Sequence, residues 1–410
     1  MNELFAWFGE RVKALRQRLV VIGDFGEDLD DEDTLLLHDG ERRKRELAFL
    51  NTHGSRRQDL FELKAVVANL APPLERARLA KGTLKAIGQP QVPVGVGTDC
   101  GNAVGEKLKK LQNIPYLADA SEVEEGARLL LRTLQEADDH SLTLVLISGL
   151  TDIAAVLREH AELVKLKVKS VAIMGGVTLI KGTDDIFIND EGFFEPDDAA
   201  NNKFDMESAK FVYRRFQELA IPLTILTRFA AGACQVPRSF YDDLAATGHP
   251  VGIKLLKAQQ GSIESLWKRA NMAADDPHRE KLPARCDKAW FCGQFLGGKG
   301  LDRTGADTIW DLVVSFNLYD PMTLVAAVPE LRKQFFDPTV VKVGETEHLI
   351  IGVSKTKHSI KDAKGLAEYM IARCLESLQI SFTELHGALR NQVLVSTDAE
   401  VPTPPPRTEA

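Results

Sequence analysis

Residues 19–33 read Leu19-Val20-Val21-Ile22-Gly23-Asp24-Phe25-Gly26-Glu27-Asp28-Leu29-Asp30-Asp31-Glu32-Asp33, and this stretch decides the fold. Its first four residues form a continuous apolar run, which predicts a short buried strand. The run passes directly into a loop that holds seven carboxylates within eleven residues. A helix is predicted to begin near Asp31. The order of strand, acidic loop and helix is typical of one unit of a parallel sheet.

Similar apolar runs alternate with helical stretches through the first half of the chain. The further runs are residues 63–68, 92–97, 142–147, 170–174 and 221–226. Continuous apolar strands that are separated by helices indicate a parallel sheet covered on both faces. We therefore predict an α/β fold with flanking helices, in which the mostly parallel central sheet resembles the Rossmann arrangement.

The loops that follow these runs are the predicted location of a site, because ligands bind at the carboxyl ends of the strands in such sheets. Polar residues and glycines are concentrated in these loops, which contain residues 24–31, Asn69, residues 98–99, 148–151, 175–176 and 227–228.

One large α/β domain is predicted at residues 19–390. An amphipathic helix is predicted before it, at residues 1–18, and a helical insertion within it, at residues 237–310. Aromatic residues are expected in loops of this insertion, namely Trp267, Trp290, Phe291 and Trp310. A hairpin that turns near Gly344 and a helix around residues 362–378 follow. The proline-rich tail at residues 391–410 is predicted to be disordered.

Composition and charge restrict the classes of partner. The chain has 410 residues, of which 44% are hydrophobic and 27% charged, as in ordinary globular proteins. A net charge of -8 argues against a nucleic-acid partner. The five cysteines are widely spread and show no zinc spacing, which favours reduced thiols. Because we find neither a signal peptide nor a membrane-length apolar run, we expect a cytoplasmic protein without a membrane partner.

The acidic loop has two interpretations. Its crowded carboxylates repel one another unless they are solvated or share a cation, and their oxygens suit a hard ion such as Ca²⁺. An EF-hand is excluded, because the sixth and twelfth positions counted from Asp24 are Leu29 and Leu35 instead of glycine and glutamate. The simpler alternative is an acidic turn whose charges stabilise the start of the following helix.

Five segments, in the same order, resemble the inosine-uridine preferring nucleoside hydrolase family. The pattern Asp24-x-Gly26-x-Asp28-x-Asp30-Asp31 is similar to its N-terminal signature. The other segments resemble a strand with a glycine–threonine turn, a strand with a Met-Gly-Gly turn, an asparagine-containing substrate segment and a late Asp-Pro, at residues 144–154, 171–176, 201–205 and 319–322. Their order and approximate spacing hold over residues 19–330.

The resemblance implies a role for each matching residue. Asp31 would be the main Ca²⁺ carboxylate, Thr151 would offer its backbone carbonyl, and Asp320 would complete the metal site. Further residues would contact the sugar or base, namely Asp30, Asn69, Asn201, Asn202, Met174 and Trp290. The implied reaction is hydrolysis of the N-glycosidic bond of a nucleoside-like small molecule, as in purine or pyrimidine salvage, by a homo-dimer or homo-tetramer.

Three positions depart from the family pattern. Gly26 stands where the family has an aspartate that binds the metal and activates water, and Asp28 or Asp24 is the predicted substitute in both roles. Tyr319 stands where many members have a histidine that protonates the leaving base, so Tyr319 is the predicted hydrogen-bond donor to that base. Ala199 replaces a glutamate that precedes the substrate asparagine.

These departures leave a second function open. The chain would then be a metal-binding member that has lost hydrolysis and serves as a ligand-binding or scaffold protein. Each matching residue, taken singly, also has a structural interpretation: Thr151 is a good helix cap and Asp320-Pro321 a common helix entry. A nucleotide-cofactor enzyme is disfavoured, because no dinucleotide or phosphate-loop spacing of glycines occurs.

Overall fold

The computed structural model describes residues 17–26, 29–53, 61–101, 114–279, 282 and 284–397. Its strands are β1 Gln17–Gly23, β2 Phe61–Ala68, β3 Val94–Val96, β4 Glu124–Glu125, β5 Leu142–Leu146, β6 Val168–Gly175, β7 Leu223–Thr227, β8 Gln235–Pro237, β9 Ser315–Asn317, β10 Thr339–Val343 and β11 Thr346–Ile351. Each predicted apolar run in the first half therefore contains a strand.

Helices follow most of these strands. They are α1 Asp30–His53, α2 Pro73–Ala86, α3 Gly126–Glu136, α4 Thr151–Lys167, α5 Ala200–Phe204, α6 Met206–Glu218, α7 Arg228–Ala233, α8 Ser239–Ala246, α9 Pro250–Ala270, α10 Lys288–Phe295, α11 Tyr319–Ala327, α12 Pro329–Phe335 and α13 Ala363–Thr397. Short 3-10 turns lie at Ala120–Glu122, Pro277–Arg279 and Trp310–Leu312. Within the described residues, no helix is long and apolar enough to cross a membrane.

The described strands form one large sheet and one small one. The large sheet has the order β10-β11-β7-β6-β5-β1-β2-β3-β4, and only the β10–β11 pair is antiparallel. This confirms the predicted α/β fold with a mostly parallel central sheet. In the small sheet, β8 pairs with β9 and so joins the two ends of the segment predicted as a helical insertion.

The central strand β1 is apolar on both faces because both faces are covered. Leu19 and Val21 belong to one hydrophobic cluster, whereas Val20 and Ile22 belong to a second cluster on the other face. Each such side chain contributes about 1.5–3 kcal/mol when it is fully buried. The continuous run of four apolar residues therefore fixes β1 in the middle of the sheet.

Several predicted boundaries differ from the structure. Most of the helix predicted for residues 1–18 lies outside the described residues, but Gln17 and Arg18 belong to β1 because they pair with β2 and β5. Helix α13 continues to Thr397, beyond the predicted start of the tail, and residues 398–410 lie outside the described residues. The aromatic residues expected in loops of the insertion instead lie on α9, α10 and a 3-10 turn, where they pack together.

Helices α1 and α13 approach closely at Gly40, which gives a prediction. A Cβ atom at Gly40 would collide with the backbone carbonyl of Arg373, and that backbone cannot move without shifting α13. We expect Gly40→Ala to lower the free energy of unfolding by about 2 kcal/mol, measured by urea titration, although alanine favours helix.

The matched control is Gly261→Ala in the middle of α9. No described atom lies within 4 Å of a Cβ at Gly261, so the same change should raise stability by about 0.5–1 kcal/mol. Equal effects of the two variants would contradict the close packing of α1 on α13.

Candidate functional site

A cavity of about 330 Å³ lies at the carboxyl ends of β1, β5, β6 and β7. Asp24, Gly175 and Arg228 come from loops that the sequence indicated. The full lining is Asp24, Ile147, Met174, Gly175, Asp198, Ala199, Ala200, Asn201, Phe204, Arg228, Arg285, Tyr319 and Asp320. Of the predicted site residues, the structure therefore brings together Asp24, Met174, Asn201, Tyr319 and Asp320.

The acidic loop is folded tightly over the end of β1. The backbone N–H of Asp24 donates to Oδ1 of Asp31 at 2.9 Å. Gly23 leaves room for this contact, since a Cβ atom there would collide with the Asp31 carboxylate. Asp24 and Asp31 are thus neighbours at the end of β1, and of the two Asp24 lines the cavity. Asp28, the other predicted substitute for the missing carboxylate, lies outside the described residues.

A buried arginine that the sequence did not single out holds this loop. Arg76 on α2 is 1% exposed. Its guanidinium donates to the backbone carbonyls of Asp24, Phe25 and Ala71, at 3.0 Å for Phe25 and 3.3 Å for Ala71. A guanidinium carries five N–H donors in a fixed plane, so one side chain can fix several carbonyls at once. Arg76 therefore positions the loop that carries Asp24.

Asp30 connects the acidic loop to the start of α11. Its Oδ2 accepts the backbone N–H groups of Tyr319 at 2.8 Å and Asp320 at 3.1 Å. A carboxylate at a helix N-terminus satisfies N–H groups that have no partner within the helix and favours the positive end of its dipole. The structure therefore places Asp30 beneath Tyr319 and Asp320 and not among the residues that line the cavity, where the resemblance implied a contact with ribose.

Asn69 lies at the end of β2, beside the acidic loop but not among the residues that line the cavity. Its Nδ2 donates to the carbonyl of Gly149 and to Asp152, both at 2.9 Å. Its Oδ1 is fully buried and accepts no hydrogen bond within the described part of the chain. A buried acceptor without a donor costs free energy, so this oxygen suits a hydroxyl, a water or a cation.

The two adjacent asparagines have different positions. Asn201 lines the cavity, and its Nδ2 donates to the carbonyls of Ile147 at 3.0 Å and Met174 at 3.2 Å, across the ends of β5 and β6. Asn202 is fully buried and donates to the carbonyls of Gly176 and Asp197. Asn202 therefore fixes the turn after β6, and its predicted contact with substrate is not supported by its position.

Of three other predicted residues, only Tyr319 lines the cavity. Its phenol oxygen accepts a hydrogen bond from Nδ2 of Asn317 at 2.9 Å. Thr151 begins α4, and its Oγ1 donates to Asp205 at 2.8 Å. Trp290 packs edge-on against Phe295 in an aromatic cluster of α10. Trp290 is not among the residues that line the cavity.

Two arginines and one aspartate at the opposite end of the cavity were not predicted as site residues. Arg228 follows β7, Arg285 precedes α10, and Asp198 lies between β6 and α5. A hydrogen bond from Lys203 lowers the pKa of Asp198, so this carboxylate is charged at neutral pH. Arg228 could have been found from the sequence, because it lies in a loop that follows an apolar run.

The residues of the loop fit a calcium ion in their chemistry. Ca²⁺ takes oxygen ligands, and the carboxylates of Asp24 and Asp320 line the cavity. Asp31 is hydrogen-bonded to the backbone of Asp24, and the amide oxygen of Asn69 accepts no hydrogen bond within the described residues. Among the described residues, no group of three or more histidine, cysteine or acidic side chains is close enough to hold a metal by itself.

The fold and the site define an α/β protein with a carboxylate-lined, small-molecule cavity at the carboxyl edge of a parallel sheet. The chain belongs to the inosine-uridine preferring nucleoside hydrolase family, whose model matches residues 59–365. The protein is therefore a hydrolase of the class that acts on N-glycosyl bonds, as the motifs predicted. The matched range begins beyond the acidic loop, in which Gly26 departs from the family pattern.

Solved structures share the fold. The type III effector protein XopQ, in a complex with adenosine diphosphate ribose, is 28% identical with a TM-score of 0.69, over 91% of this chain and 97% of that chain. The effector protein XOO4466 gives the same identity and score over 91% and 98%. The purine-preferring ribonucleoside hydrolase from Gardnerella vaginalis shares the fold, at 14% identity and a TM-score of 0.53, over 89% and 100%. No curated protein matches the sequence.

Proposed function

We propose that this protein hydrolyses the N-glycosidic bond of a ribonucleoside or a related N-ribosyl compound, and that the reaction depends on Ca²⁺. The observation that carries the proposal is that Asp24, Asn201, Tyr319 and Asp320 line one cavity. Two acidic groups, an amide and a phenol are the groups needed to hold a sugar, accept a proton from water and assist a leaving base.

Each residue has a stated part in the proposed reaction. The C1′–N bond breaks with its electron pair moving to the base, and a water oxygen forms the new bond to C1′. Asp24 accepts the proton of that water, and the carboxylates of Asp24 and Asp320 stabilise the positive charge that develops on the sugar. Asn201 holds a sugar hydroxyl and is itself fixed by the carbonyls of Ile147 and Met174.

Tyr319 donates a hydrogen bond to the departing base. Because its oxygen accepts from Asn317, the phenol is polarised and becomes a better donor. Asp24, Asp31 and Asp320 would hold the proposed Ca²⁺, with the Thr151 carbonyl and Asp28 as further ligands. When bound, the ion would lower the pKa of water and orient the sugar diol.

The test is release of free base and ribose from a panel of purine and pyrimidine nucleosides, with Ca²⁺ and with a chelator. We expect release with Ca²⁺ and a loss of at least about 10²-fold with the chelator. No release from any nucleoside, while calorimetry still detects Ca²⁺ binding, would contradict the proposed hydrolysis.

A second candidate is a binding protein that has lost hydrolysis. It is favoured by Gly26, which replaces the family's water-activating aspartate, and by the similarity to an effector in a complex with adenosine diphosphate ribose. Tight binding of adenosine diphosphate ribose in calorimetry, without release of a base or ribose, is the result expected for this candidate. We further propose that the protein forms a homo-dimer or homo-tetramer, which light scattering tests. We also propose that the released base enters purine or pyrimidine salvage.

A further inference from the structure

The cavity is longer than a sugar site requires. Asp24 follows β1 and Arg228 follows β7, and these strands are separated by β5 and β6. Because neighbouring strands lie about 4.8 Å apart, the two ends of the cavity are about 14 Å from each other along the sheet edge. A furanose ring held by Asp24 at the end of β1 and by Asn201 across the ends of β5 and β6 covers only part of this distance.

The far end of the cavity carries two arginines. Arg228 and Arg285 both line it, with Asp198 beside them and Asp197 behind Arg228. Arg228 meets Asp197 at 3.3 Å and Asp198 at 3.7 Å, distances longer than the 2.7–2.9 Å of a strong charge-assisted hydrogen bond. Arg285 forms no ion pair within the part of the chain that the structure describes. Both guanidinium groups therefore keep donors that can face a ligand.

Space continues beyond the arginines. A second cavity of about 330 Å³ shares Asp198 and Arg228 with the first and extends toward Thr178, Phe229 and Val353. An anionic group at Arg228 therefore need not be the terminal group of the ligand.

We propose that Arg228 and Arg285 form a phosphate subsite, so that the preferred ligand is an N-ribosyl compound with a phosphate on its 5′ oxygen. This inference rests on the proposed function, which puts the ribosyl group at the β1 end. Planar guanidinium groups donate two parallel hydrogen bonds to phosphate oxygens, which makes arginine suited to this task. An uncharged nucleoside has no anionic group to accept from the remaining guanidinium donors.

The test compares dissociation constants of ribose 5-phosphate with ribose, and of AMP with adenosine, by calorimetry at low ionic strength. We expect each phosphate compound to bind at least about tenfold more tightly than its neutral counterpart, and this preference to fall as salt is added. Arg285→Gln and Arg228→Gln should each reduce the preference several-fold, and the double variant should remove it. Arg228→Lys should keep part of it, since the charge remains.

The matched control is Arg214→Gln. Arg214 is also an exposed arginine paired with carboxylates, but it lies on α6 outside both cavities. This variant should keep the full phosphate preference.

Several outcomes would overturn the subsite. They are equal affinities for the charged and neutral ligands, no binding of either phosphate compound, or an equal loss of preference in Arg214→Gln. A phosphate preference without release of base supports the subsite and contradicts hydrolysis. Release of base from nucleosides without a phosphate preference supports hydrolysis and contradicts the subsite.

Discussion

Asp24→Asn is expected to lower kcat for base release by at least about 10³-fold, because an amide cannot accept the water proton. Asp24 is 8% exposed and lines the cavity, and its backbone is fixed on both sides: its N–H donates to Asp31 and its carbonyl accepts from Arg76. Asparagine keeps the size of the side chain, so the fold should not change. Steady-state kinetics measures the loss of kcat, and calorimetry on the same sample measures any change in Ca²⁺ affinity.

The matched control is Asp139→Asn, at an exposed aspartate that pairs with Lys167 away from the cavity. An exposed ion pair contributes less than about 1 kcal/mol, so this variant should keep its turnover. The same substitution at Asp28 decides between the two predicted substitutes for the carboxylate missing at Gly26. Full turnover by Asp24→Asn together with inactive Asp28→Asn would transfer the role of base to Asp28.

Arg76→Met is expected to cost about 3 kcal/mol of stability and most of the activity. The change removes the donors to three buried carbonyls, and each buried polar group without a partner costs about 1–3 kcal/mol. Methionine retains much of the apolar volume, so the loss reports mainly on hydrogen bonding. Differential scanning calorimetry should show a midpoint lowered by about 5 °C, and Ca²⁺ should bind more weakly because Asp24 is no longer held.

Arg78→Met, two residues further along α2, is the control for this prediction. Nε of Arg78 donates to the carbonyl of Ala118 at 2.7 Å, and the side chain is only half-buried. We expect a loss of about 1 kcal/mol and unchanged Ca²⁺ affinity. If Arg76→Met lowers the midpoint but leaves Ca²⁺ affinity and kcat intact, Arg76 supports the fold without positioning the acidic loop.

The sheet could be predicted from the sequence because its strands are continuous apolar runs with helical segments between them. The central position of β1 follows from its two buried faces, and that position places the acidic loop between the ends of β2 and β5. The cavity residues in loops that directly follow strands, such as Asp24 and Arg228, follow from the same rule. Their positions are set by local order along the chain.

The remaining features depend on contacts between distant segments. Arg76 lies in the sequence Leu74-Glu75-Arg76-Ala77-Arg78, which looks like the charged side of a surface helix, and nothing local marks it as buried. Asn201 and Asn202 are adjacent, but only the three-dimensional turn after β6 directs one to the cavity and the other to the interior. Trp290 resembles a base-stacking residue until its packing against Phe295 is seen.

The contact of Asp30 with the backbone of Tyr319 and Asp320 has a consequence for how the protein is made. Asp30 is separated from Tyr319 by 289 positions in the chain and from Asp320 by 290. At about 5–20 residues per second, a ribosome needs roughly 15–60 s to reach Tyr319 after it has added Asp30. During that interval the carboxylate of Asp30 has no helix end to cap. The nascent chain can therefore form β1 and α1 early, but the link between the acidic loop and the start of α11 forms only after Tyr319 and Asp320 have been made.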